Sequence, residues 1–93
     1  MKESEKDVER YLVEQVEAVG GLCRKYVSPG VIGVPDRICL LPHGMIAFVE
    51  TKSEGDTPTD HQLREHERMS DLGFFVAVVD TKAKVDHLLR YQK

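Results

Sequence analysis

Six consecutive apolar residues, Phe74-Phe75-Val76-Ala77-Val78-Val79, restrict the fold more than any other stretch of this 93-residue chain. A run too short for a helix and apolar on both faces reads as an interior strand, open to parallel pairing with a neighbour. Such a strand needs covering layers, and the flanking segments supply them. From about Glu3 to Val19, Val8, Tyr11, Leu12, Val16 and Val19 recur at the helical period, and Gly20-Gly21 ends the pattern. Thr59 stands as N-cap of a second helix ending near Leu72, with Gly73 as its stop. A last helix starts about Lys82 and buries Val85, Leu88 and Leu89.

Between the first two helices lie shorter strand signals. Leu22 to Val27 is a short strand, and Ser28-Pro29-Gly30 turns the chain. Asp36 to Leu41 and Met45 to Lys52 form a hairpin around Pro42-His43-Gly44. Ser53 to Pro58 is polar and reads as a surface loop beside the hairpin end, within reach of a bound nucleic acid. The order is α-β-β-β-α-β-α, an α/β fold with a small mixed sheet flanked by helices. Length allows one domain, residues 1–93, with ordinary globular composition of 41% hydrophobic and 31% charged residues.

Several classes are excluded. No apolar run reaches the ~20 residues of a membrane span. The charged start, Met1-Lys2-Glu3-Ser4-Glu5-Lys6-Asp7, is no signal peptide. Two cysteines, Cys23 and Cys39, in apolar segments are too few for a disulfide scaffold or zinc cluster. They are expected to be reduced, buried thiols of a cytoplasmic protein. Thirteen basic against sixteen acidic residues give −3, so any nucleic-acid function must rest on a local site.

That local site is legible in the hairpin. Alternate residues of a strand share a face, so Glu50 and Lys52 point the same way, roughly 6.5–7 Å apart. Hairpin pairing brings Asp36, just after Pro35, to the same end. Two carboxylates, with the Thr51 backbone carbonyl between, suit Mg²⁺ or Mn²⁺. An ammonium beside them can position a metal-bound water or stabilise a transition state. The bland alternative is a pair of solvated strand-end charges worth under ~1 kcal/mol.

Gly33-Val34-Pro35-Asp36, then Phe48-Val49-Glu50-Thr51-Lys52, then Gln62 in the next helix resemble the PD-(D/E)XK nuclease superfamily, and within it the virus-type replication-repair nuclease (VRR-NUC) branch. The resemblance runs from about Glu5 to Val79. It implies an αβββαβ core, here followed by a C-terminal helix, with Asp36 and Glu50 as metal ligands and Lys52 assisting the water or the transition state. It also implies a glutamate on the first helix. Glu5, on the border of the buried stripe, is the candidate over Glu9, although both fit as exposed acids favoured by the helix dipole. Gln62 has two readings, a site residue beside the metal or the return partner of Thr59 in a T-x-x-Q capping box.

Arg24, Lys25, Arg37 and Arg64 are candidate phosphate contacts, each also readable as a solvated charge. His61 and His66, five apart, do not fit one metal. His66 falls beside Leu63 and Met69 as a partly buried structural histidine, and His43 and His87 belong to the surface. The resemblance implies a DNA endonuclease acting on branched substrates such as four-way (Holliday) junctions, commonly as a homodimer, in phages and bacteria. The rival from another class is a catalytically silent nucleic-acid-binding or assembly module with the same fold.

Overall fold

Ser4 starts the first helix. Its hydroxyl accepts the Asp7 N–H at 3.1 Å, and α1 (Glu5–Ala18) follows. The computed structural model describes residues 1–90 of the chain. The stripe Val8, Leu12 and Val16 is fully buried, as its four-residue spacing requires. Strands β1 (Leu22–Lys25), β2 (Arg37–Leu41) and β3 (Met45–Thr51) come next, then α2 (Asp60–Asp71), β4 (Phe75–Val79) and α3 (Lys82–Leu89). The fold is therefore mixed α/β, a four-stranded sheet flanked by helices. The β2–β3 turn is a short 3-10 segment, Pro42–Gly44, in which His43 takes a left-handed φ of 67°.

The strand order is β1-β2-β3-β4, with β1, β2 and β3 antiparallel and β4 parallel to β3. The parallel pairing is as read from the sequence; the interior position is not. β4 is an edge strand, and Phe74 and Phe75 are about half exposed (47% and 53%). Apolar side chains on both sides of a strand report that its faces meet other elements. Edge or interior status is decided by backbone hydrogen bonds, which side-chain pattern does not encode. On β4 the two faces meet α2 and α3, while one backbone edge is unpaired within the described sheet.

One sheet face carries the main core. Cys23, Cys39, Leu41, Ala47, Val49 and Val79 pack there against Val8, Leu12 and Val16 of α1 and Val85 and Leu89 of α3. Cys23 and Cys39 are directly opposed across β1 and β2, buried and unbridged, with sulfurs 3.9 Å apart. The other face is covered in part by α2, which buries His66 and Met69. Leu63, expected beside them, is half exposed instead. No helix among the described residues is long and apolar enough to cross a membrane.

Candidate active site

The β2–β3 ladder ends at the pair Arg37↔Val49, so Asp36, one residue earlier, falls opposite Glu50. Its carboxylate is held rather than free. Asp36 Oδ2 accepts the backbone N–H and the hydroxyl of Thr51, both at 3.0 Å. The sequence suggested the Thr51 carbonyl as a ligand; the structure adds that the fully buried Thr51 side chain fixes Asp36.

Glu50 alternates with the core residues Val49 and Thr51, so its side chain leaves the main core and enters the α2 side of the sheet. It is 2% exposed. Its Oε2 accepts Gln62 Nε2 at 3.0 Å and lies 3.6 Å from Lys52 Nζ. Its Oε1 is buried without a hydrogen-bond partner, and His66 Nε2, equally unpartnered, lies 3.9 Å away. Burial pushes the Glu50 carboxyl up to about 7, reinforced by the charge of Asp36 and partly offset by Lys52. Burial likewise holds the His66 imidazole below its usual range.

Gln62 closes the helix cap and also reaches Glu50. The capping box is complete, with Thr59 Oγ1 accepting the Gln62 N–H at 3.2 Å and Gln62 Oε1 accepting the Thr59 N–H at 2.9 Å. The amide nitrogen is left to donate to Glu50. The loop before β2 packs against the same helix start. At Gly33, with φ +97°, an added Cβ would lie 2.5 Å from the His61 carbonyl oxygen.

The first-helix acids separate. Glu5 is exposed, and its backbone N–H donates to Ser53 Oγ at 3.2 Å, which ties the start of α1 to the residue after Lys52. Glu9 receives Arg37 Nε at 2.8 Å. Arg37 is thus engaged by a carboxylate on the core side, while Arg24, Lys25 and Arg64 are exposed. The segment read as a loop touching nucleic acid is anchored to the chain's start. Glu3 and Glu54 exchange two bonds, Glu3 N–H to Glu54 Oε1 and Glu54 N–H to the Glu3 carbonyl, and the Gly55 N–H donates to Asp80 at 2.8 Å. Sequence reasoning missed the approach of His66 to Glu50. The signal was present, since residues four apart share a helix face and His66 follows Gln62 by four.

Two neighbouring carboxylates, one with a buried oxygen lacking a donor, form a site that a hard divalent cation would stabilise. Among the described residues no three of His, Cys, Asp and Glu group around one point. An ion here would complete its shell with the Thr51 carbonyl and water, the habit of Mg²⁺.

The mixed sheet thus carries Asp36, Glu50 and Lys52 at one end. No family model matches the sequence. A protein named "Putative nuclease p44", from Acyrthosiphon pisum secondary endosymbiont phage 1, is 50% identical over 78 residues, 84% of each chain. A solved structure described as a VRR_NUC domain superimposes with a TM-score of 0.90 at 43% identity, over 98% of this chain and 99% of that one. The chain belongs to the VRR-NUC family of nuclease domains.

Proposed function

We propose that this chain is a single-domain, Mg²⁺- or Mn²⁺-dependent endonuclease that hydrolyses phosphodiester bonds of branched DNA, four-way junctions included, as a homodimer. The observation that carries the metal-dependent chemistry is the Asp36–Glu50 pair with its unpartnered Glu50 Oε1, beside Lys52. In this reading Asp36, Glu50 and the Thr51 carbonyl hold the ion. An ion bound there would supply an activated water and offset charge developing on the phosphate. Lys52 stabilises that charge as a fixed ammonium. Gln62 orients Glu50, and Glu5, tied to Ser53, is the first-helix acid of the site. Arg24, Lys25 and Arg64 meet phosphates along the approaching strands, whereas Arg37, engaged by Glu9, does not.

A row of exposed apolar side chains supports the homodimer. Leu22, Leu40 and Ile46 are neighbours across three strands on the α2 side of the sheet, at the end away from Glu50. Adjacent exposed apolar residues of this kind favour a protein contact, and a two-fold contact would give two sites for two strands. The phage relative supports action in the cytoplasm of a bacterial or phage-infected cell.

Linear, flapped and four-way DNA, incubated with Mg²⁺, Mn²⁺ or EDTA, test the reading. Expected are metal-dependent cuts in the four-way substrate, absent in Asp36→Ala. DNA binding without metal-stimulated cleavage under any condition would instead make the chain the silent binding module. Sedimentation at micromolar concentration, with and without junction DNA, tests the dimer; a monomer in both overturns it.

A further inference from the structure

Helix α2 presents two side chains, one turn apart, to the two oxygens of one carboxylate. Gln62 Nε2 donates to Glu50 Oε2 at 3.0 Å. His66 Nε2 faces Glu50 Oε1 at 3.9 Å, and both atoms are buried with no hydrogen-bond partner. Leaving either atom unsatisfied is costly, and a donation from His66 Nε2 to Oε1 would satisfy both while leaving a second lone pair of Oε1 for an ion. At 3.9 Å the pair is beyond a hydrogen bond, and a rotation of either side chain that shortens it would let each serve the other.

From this geometry we infer that His66 is a positioning residue for Glu50. As its Nε2–H tautomer, the neutral ring donates toward Oε1 and, with Gln62, sets the plane and tilt of the carboxylate. A carboxylate held from two sides presents a fixed lone pair to an ion, and groups of this kind set how tightly a metal is held. The assignment differs from a packing role. A purely structural histidine would be replaceable by any ring of its size, whereas a positioning donor is replaceable only by another donor.

The inference rests on the metal-dependent reading above, and the experiment separates the two. Mn²⁺ affinity is measured by calorimetry, without DNA and without turnover, for the wild type, Asp36→Asn, His66→Phe and His66→Gln. His66→Phe keeps the ring and removes the donor; His66→Gln keeps a donor of similar reach. The expected result is a loss of about 10–100-fold in Mn²⁺ affinity for His66→Phe, with His66→Gln within about threefold of wild type. Circular dichroism of each variant monitors folding, and His66→Leu replaces His66→Phe if the latter does not fold. Wild-type affinity in the donor-less variant overturns the assignment while leaving the metal site standing. Equal losses in His66→Gln and His66→Phe, with the fold intact, also overturn it, since packing would then be the cause. No Mn²⁺ binding by the wild type removes the metal reading and this inference together.

Discussion

Gln62 closes a helix cap and holds Glu50 with opposite ends of one amide: Oε1 accepts the Thr59 N–H at 2.9 Å while Nε2 donates to Glu50 Oε2 at 3.0 Å. The start of α2 and the carboxylate at the end of β3 are thereby coupled. The coupling explains why a helix-start motif and a site residue coincide in the sequence.

Thr59→Ala and Gln62→Ala should therefore separate. Losing the Thr59 hydroxyl removes the cap alone and costs about 1 kcal/mol of stability. Losing the Gln62 side chain costs a similar amount of stability and in addition frees Glu50, lowering cleavage by about 10–100-fold. Urea unfolding alongside a nicking assay checks both. Equal activity in the two variants would show that the Gln62–Glu50 bond is idle.

Lys52→Ala should leave the fold and DNA affinity nearly unchanged and lower the cleavage rate on the order of 10²–10³, as for other single groups that stabilise developing charge. Asp36→Ala and Glu50→Ala should abolish cleavage. Rates measured at saturating metal distinguish loss of chemistry from loss of the ion. Undiminished turnover in Lys52→Ala under those conditions would remove it from the reaction.

Glu50 makes the metal-free protein pH-sensitive. Burial raises its carboxyl from an ordinary 4.5 to about 7 in the fold, so between those values the folded state holds the proton more tightly. The group then favours the fold at acid pH, and this advantage is lost as pH rises through about 7. At roughly 1.4 kcal/mol per pH unit of displacement, the loss amounts to a few kcal/mol. Thermal unfolding in EDTA should show the wild type less stable at pH 8 than at pH 5.5, and Glu50→Gln should flatten the difference. Adding Mg²⁺ or Mn²⁺ at pH 8 should restore the wild type but not the variant.

Gly33→Ala should destabilise the chain by roughly 1–3 kcal/mol, because the position combines φ +97° with a backbone oxygen 2.5 Å from the added Cβ. The oxygen belongs to His61, beside Gln62, so a shift there would also move the Gln62 amide. A melting temperature equal to wild type would mean that the loop relaxes freely away from α2.

Element order, the helix caps at Thr59 and Gly73 and the hairpin around Pro42–Gly44 were all legible in the sequence, because each depends on local spacing and turn chemistry. The grouping of Asp36, Glu50 and Lys52 followed from strand alternation and hairpin closure, which are also local rules. Tertiary structure alone decided that β4 lies at the edge, since that depends on which backbone finds a partner. It likewise decided that Arg37 meets Glu9 across 28 positions of chain, and that the buried His66 brings Nε2 to 3.9 Å from Glu50. These contacts depend on how α1 and α2 dock on opposite faces of the sheet. Side-chain periodicity tells which face of a helix is buried; the group waiting on the other side is set only when the layers come together.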